Sequence, residues 1–270
     1  MLRSMYSGIS GMKANQTKMD VVGNNVANVG TTAFKKSNVR FSDALYQTSI
    51  YASSPGTIVG GVSPGQVGIG TKVSGMFKNT VQGNIQTTGR SSDLGIDGDG
   101  YFTVQIGQNQ YAYTRDGSFN IDKEGNLVTA DGYKVVGTDK KPIQIPKEQN
   151  GQKVLSYNIS SEGEVSYLLA DGSKYPQGGT GAQKLGIAVF QNPEGLEALS
   201  SNLYGVSANS GDPILNAAYG NIKQGAIEMS NVDLSEEFTE MIVTTRAFQA
   251  ASKVITTSDE LLQEIINLKR

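Results

Sequence analysis

The chain has no histidine, no cysteine and no tryptophan, and only seven prolines in 270 residues. Without His or Cys it lacks the commonest general base, the thiolate nucleophile and the main zinc ligands. Ser-His-Asp and Cys-His constellations are therefore excluded, along with most transition-metal sites. The expectation is a protein that is not an enzyme, with no catalytic residues, no metal and no cofactor. Missing thiols also mean no disulfide framework, so stability must come from a core or from a polymer built around the chain. Charge of either sign is scarce in excess: 23 basic against 25 acidic residues leave a net charge of −2 and a pI near 5.3. That balance carries no electrostatic footprint for nucleic acid or an anionic membrane. Long apolar runs are absent too. Near the N-terminus Ser4, Ser7, Ser10, Lys13 and Asp20 interrupt any such run, so neither a Sec-type signal nor a membrane insertion is expected.

What is present divides the chain into helical ends and a β middle. Leu2, Met5, Ile9, Met12, Gln16, Met19, Gly23 and Val26 alternate steps of three and four, which is a heptad seam. Gly8 and Gly11 sit inside this pattern and each costs about 1 kcal/mol relative to Ala in a helix, so the helix is weak alone. The C-terminal end repeats the pattern with Met241, Thr244, Phe248, Ala251, Ile255, Ser258, Leu262 and Ile265. Asp233 followed by Glu236 supplies an N-cap and its capping-box partner. A helix from about Leu234 to Leu268 would be roughly 50 Å long at 1.5 Å per residue, more than a core of this size can cover.

Between the ends lie all seven prolines and 29 of the 33 glycines. Acid-glycine pairs recur at 97, 99, 116, 124, 131, 162 and 171, supplying the positive φ that tight turns need. The runs between them, such as "YFTVQI", "QYAYTR" and "EVSYLLA", are rich in β-branched and aromatic residues. The expected class is α+β: N- and C-terminal helices forming an antiparallel, coiled-coil-like inner domain from 1–30 and 232–270, and a mainly antiparallel, meander-like β outer domain at 71–231. Residues 31–70, dense in Gly, Ser and Pro from 48 onward, read as an extended linker, either a flexible tether or an ordered packing segment.

Two clusters invite sharper readings. Asp97-Gly98-Asp99-Gly100 alternates carboxylates like the start of a calcium loop, yet the twelfth position of an EF-hand is Gln108 here, so a hairpin turn is the better account. Glu236, Glu237 and Glu240 could pass for a catalytic cluster, but acids in the first turns of a helix favour its dipole. An extracellular carbohydrate-binding or hydrolytic β protein is a remote alternative, because no carboxylate pair suited to a glycosidase stands out.

The stretch "VVGNNVANVGTTAFKK" at 21–36 reads as a helix end running into an ordered turn, because Asn and Gly compete with the helix for its backbone. It resembles the N-terminal signature of the flagellar axial proteins, the family of rod, hook and hook-associated subunits, with Asn24, Asn25, Ala27, Asn28, Thr31, Phe34 and Lys35 at motif positions. The C-terminal segments "SNVDL", "TTRAFQAASKVI" and "INLKR" and the middle stretch "LGIDGDGYFTV" resemble the same family, the former most of all its hook subunits. The resemblance implies a short-form hook subunit that self-assembles into a helical tube and passes torque from rod to filament; a distal rod subunit is the alternative. It further implies a homopolymer of many copies, contacts with distal rod, hook cap and hook-filament junction proteins, and export by the flagellar type III apparatus without a cleaved signal peptide to the hook or basal body outside the cell. The expected assembly seam is Leu2, Met5, Ile9, Met12 and Met19 with Met241, Phe248, Ala251, Ile255, Leu262 and Ile265, within or between subunits.

Overall fold

The computed structural model describes residues 2–56, 60–149, 152–176, 183–215 and 220–268. Its first element, α1 (Leu2–Ala27), is a 26-residue helix that ends inside the asparagine-rich stretch, with turns following at 28–30. The last, α2 (Leu234–Leu268), spans 35 residues, the predicted length. Its start is set by Asp233, whose Oδ1 accepts the Ser235 N–H at 2.8 Å and so satisfies a donor the helix leaves unpaired. Between them the ladders are all antiparallel, which gives the α+β class expected.

The chain divides into two compact units. The first joins residues 1–27, 37–78 and 233–270. In it α1 and α2 run antiparallel, since Ser4 meets Ser258 at one end and Asn25 meets Glu237 at the other. This unit also holds β1 (Ser37–Asp43), β2 (Tyr46–Ile50), β3 (Gly65–Gly68) and β4 (Thr71–Lys78). β1 pairs with β4 from Ser37↔Lys78 to Asp43↔Thr71, and β2 pairs with β3. Much of the stretch that composition reads as linker, 31–70, is thus paired strand. Its Gly, Ser and Pro content hides the pairing because the ladder uses backbone groups alone, with few buried side chains to leave a periodic pattern. Residues 57–59 of that stretch lie outside the described residues. The turn between β3 and β4 rests on α1: a Cβ on Gly70, whose φ is +134°, would stand only 2.0 Å from Ser10 Oγ.

The second unit joins residues 28–36 and 79–232. Its strands include β5 (Ile85–Thr87), β6 (Leu94–Asp97), β7 (Tyr101–Gly107) and β8 (Gln110–Thr114). β7 and β8 form a hairpin at the middle of an eight-stranded sheet. Late segments return to it: Leu203–Gly205 pairs with β8 and Ile187–Ala188 with β7, while Asn221–Gln224 pairs with β6 and Ala226–Glu228 with β5. The chain is therefore not a simple meander. Phe102, Val104, Phe119, Leu127, Val135, Leu185 and Ile187 fill the core with no exposed surface. A second cluster stacks Tyr101, Tyr113 and Phe190 edge to face, with centroids 4.9 and 5.8 Å apart.

In six of the seven acid-glycine pairs named above the glycine has positive φ. Gly117 is the exception, and it is required for a different reason: a Cβ there would meet Leu94 O at 1.6 Å. The turn at 97–100 joins β6 and β7, which lie in separate ladders, so it redirects the chain between ladders instead of closing a hairpin.

Candidate functional site

The family signature is split between the units, and each half makes its own contacts. In the first unit Asn25, at the end of α1, is 1% exposed. Its Oδ1 accepts the Ser37 N–H at 3.0 Å and its Nδ2 donates to Ser37 O at 2.9 Å, so one amide side chain imitates a strand partner for the first residue of β1. The same Nδ2 donates to Glu237 Oε2 at 3.1 Å. The start of β1 and the first turn of α2 are thereby tied to the end of α1. Asn24 and Ala27, on other faces of the helix, are exposed.

In the second unit the loop 28–36 is held by a buried charge cluster. Lys35 Nζ donates to Glu228 Oε1 at 2.6 Å and to Val81 O at 2.9 Å. Glu228 also accepts the Gly83 N–H at 2.8 Å and Arg115 Nη1 at 3.3 Å. The side chains of Lys35 and Glu228 are 2% and 0% exposed. Burial pulls the Lys35 ammonium below its ordinary pKa; the Glu228 carboxylate opposes that shift and the Arg115 charge adds to it. Arg115 lies 5.1 Å above the Tyr101 ring, which gives its excess charge a π face. Nearby, Asn28 Oδ1 accepts the Thr31 hydroxyl, Ala33 N donates to Glu228 O, and Asn202 Nδ2 donates to Thr32 O. Asn231 closes the loop from the other side: its Oδ1 takes the Lys36 N–H at 2.8 Å, its Nδ2 reaches Asn79 O and Val81 O, and its own N–H bonds Phe34 O.

Within one chain α1 and α2 meet along a line beside the apolar residues expected to form the assembly seam. On α2 the residues facing α1 include Thr244 and Ser258, both buried, with Met241, Phe248, Ala251, Ile255 and Leu262 half-buried beside them. Ile265 is 50% exposed. On α1 the close contacts come one residue before the methionines. Ser4 Oγ lies 3.3 Å from Ser258 Oγ, Gly8 abuts Ile255 and Ala251, Gly11 faces Ala251, Lys18 pairs with Glu240, and Asn25 meets Glu237. Met5, Met12 and Met19 are half-buried at the margin, Ile9 is 37% exposed, and the Leu2 side chain lies outside the described residues. The two glycines that weaken α1 by itself leave room for Ile255 and Ala251 of α2.

Glu228, Arg115 and Asn231 escape sequence reasoning because their partners are 193, 113 and 195 residues away. The only signal is a lone acid inside the apolar run "GAIEM" and a lysine pair in the signature. Of Glu236, Glu237 and Glu240, which could pass for a catalytic cluster, Glu237 is bonded to Asn25 and Glu240 pairs with Lys18. Among the described residues no group of three or more acids is placed to hold a metal, and no helix is long and apolar enough to cross a membrane.

Paired terminal helices, a β unit that lies between them in sequence, and polar clusters that hold chain segments together are the features of a structural subunit. Three family descriptions match it in order: "Flagella basal body rod protein" at 5–35, "Flagellar hook protein FlgE/F/G D1 domain" at 95–167 and "Flagellar basal body rod FlgEFG protein C-terminal" at 223–268. The flagellar basal-body rod protein FlgG of Bacillus subtilis is 48% identical over the full length of both chains, and that of Borreliella burgdorferi is 40% identical, again over both full lengths. The flagellar hook protein FlgE of Borreliella burgdorferi is 29% identical across an alignment of 442 positions that takes in all of both chains. The chain belongs to the flagellar rod and hook family, and with it to the flagellar basal body and hook.

These relatives correct the order of the two readings from sequence, in which a hook subunit stood ahead of a rod subunit. The C-terminal segments that favoured the hook match a description shared by hook and rod proteins alike. They cannot separate the two, whereas full-length similarity at 48% is to a rod protein.

Proposed function

We propose that the chain is a distal rod subunit of the bacterial flagellum, polymerising into an open helical tube that serves as a drive shaft. The observation that carries the assembly reading is the apolar surface left on α2: Phe238, Ile242, Val243, Leu261, Ile265 and Ile266 are between 50% and 64% exposed. Rows of this kind on a long helix mark an interaction surface, and further copies of the chain are the partner we assign to it. Contacts made by different patches on successive copies, with a rotation that does not close, generate a filament. The seam residues of α1 and α2 belong to the part we place in the inner tube. Full-length similarity to rod proteins supports the rod over the hook. Neighbouring rod and hook proteins and the flagellar type III export apparatus are the further partners proposed.

Electron microscopy of cells with an in-frame deletion of the gene tests this. Basal bodies lacking the distal rod, restored by the wild-type gene, are expected. Complete rods without hooks would return the assignment to the hook, and normal flagella would remove the chain from the axial structure.

A further inference from the structure

The seam between α1 and α2 raises a question of register. The close contacts on α1, at Ser4, Gly8, Gly11, Lys18 and Asn25, follow steps of four, three, seven and seven, a heptad pattern. The facing stripe on α2, from Met241 through Thr244, Phe248, Ala251, Ile255, Ser258 and Leu262, alternates three and four. Two such stripes match again after sliding by one turn. In the observed register Ser4 lies opposite Ser258 and Gly11 opposite Ala251. A slide of α2 by one turn, about 5.4 Å, would put Leu262 opposite Ser4, Ser258 opposite Gly8 and Ile255 opposite Gly11. Each seam position would still face a stripe residue. In the first half of α1, Ser4, Gly8 and Gly11 offer few knobs to lock into holes, and further along Ala14 and Val22 are the buried apolar residues, so packing by itself discriminates weakly between these registers.

The polar pairs do discriminate. A slide of one turn would carry Glu237 away from Asn25 and bring Met241 opposite a buried amide, leaving Asn25 Nδ2 facing a thioether. Glu237 is itself 3% exposed, so its carboxylate would lose a buried hydrogen bond, the expensive kind to leave unmade. Asn25 cannot follow α2, because both polar atoms of its side chain are also bonded to Ser37 at the start of β1. It is fixed to one side and reads the position of the other.

We propose that Glu237 is the register-determining residue of the helical pair, acting through Asn25, so that the pair selects one of two nearly equivalent packings instead of supplying most of their stability. A single polar residue at a seam position is a known way to specify register. The inference is independent of whether the assembled structure is rod or hook, since it concerns two helices of one chain.

The cysteine-free sequence permits a direct test. Two variants of the full chain are made, Ser4→Cys with Ser258→Cys, and Ser4→Cys with Leu262→Cys. Intrachain disulfide formation under mild oxidation is read from gel mobility, with interchain products separated as dimers. The first pair is expected to close and the second to remain reduced. Adding Glu237→Ala, which leaves the Asn25–Ser37 bonds in place, is expected to shift the ratio of the two disulfides by about tenfold toward the 262 pair, the worth of a hydrogen bond to a buried charge. Glu237→Gln, which keeps an acceptor for Asn25, is expected to restore the original preference. An unchanged ratio in Glu237→Ala overturns the proposal. So does loss of both disulfides in that variant, which would make Glu237 necessary for the pair to form at all, and so does failure of the 4–258 pair to close in the otherwise native chain.

Discussion

Lys35 Nζ stands 2.6 Å from Glu228 Oε1, and neither side chain reaches solvent. An ion pair across 193 residues joins the end of the signature loop to the last strand before α2. Such a pair is poor evidence for stability gained over an apolar alternative, but breaking it strands a buried charge. Lys35→Met is therefore expected to destabilise the chain by about 3–5 kcal/mol, read as a lowered midpoint in urea unfolding. A loss below about 1 kcal/mol would mean that Arg115 and the Gly83 N–H satisfy Glu228 by themselves.

The same cluster predicts where an N-terminal truncation stops being harmless. Removing residues 1–27 takes α1 and leaves Asn28–Lys36, which belongs to the β unit. That variant is expected to keep the cooperative unfolding of the β unit while losing polymerisation. Extending the deletion through Lys36 removes Lys35 and the backbone partner of Asn231, and should lower the melting temperature of what remains. Equal melting of the two truncations would show that the loop is dispensable to the β unit.

Gly8 and Gly11 are expected to respond oppositely to alanine. A Cβ on Gly11 would lie 3.6 Å from the Ala251 Cβ, an ordinary contact, so Gly11→Ala should recover up to about 1 kcal/mol of helix propensity. On Gly8 it would press on Ile255 Cγ1 at 2.9 Å and on the Ala251 carbonyl at 3.2 Å, so Gly8→Ala forces the helices apart. Circular dichroism melts of the two variants should move in opposite directions.

Asn231 makes three hydrogen bonds through one side chain. Asn231→Ala leaves the Lys36 N–H, the Asn79 carbonyl and the Val81 carbonyl to find other partners, and Lys36 is itself buried. An unfolding free energy lower by about 1–3 kcal/mol is expected. Asn231→Asp keeps the acceptor for Lys36 N but loses the donors, and should fall between the two.

Tyr167 titrates late. Burial pushes its phenol up to about 12, with Tyr175 adding to the shift, while its hydroxyl donates to Gln144 O at 2.7 Å. The folded chain holds this proton when the unfolded chain, titrating near 10, has released it. The contribution to stability is whole below pH 10 and is lost as pH rises from there toward 12. Alkaline unfolding followed at fixed urea should show that loss, and Tyr167→Phe should flatten it; an equally steep decline in Tyr167→Phe would assign it to other groups.

Much of the architecture was legible because it rests on local signals. Steps of three and four from Met241 to Ile265, with Asp233 ahead of them, mark α2 and its start. Acid-glycine pairs mark turns because positive φ is a property of the glycine itself. The arm at 37–78 was not legible, since a ladder of backbone bonds between Gly-, Ser- and Thr-rich strands leaves little periodic burial to detect. The line along which α1 meets α2 inside one chain was not legible, because hydrophobicity weights the methionines at 5, 12 and 19, whereas the close approach of two helices favours Ser4, Gly8 and Gly11. Glu228 was missed altogether, as nothing local distinguishes an acid that will be buried from one that will be solvated.

By itself the sequence determined the class of elements, the helical ends and the signature that assigns the family, because each depends on residues near one another along the chain. Only the tertiary structure decided which face of α1 meets α2, that residues 37–78 fold with the helices, and that the signature divides its work, with Asn25 serving one unit and Lys35 the other. Those outcomes depend on contacts between segments up to 254 residues apart, where steric fit and the need to pair every buried charge select among partners that local pattern leaves equivalent.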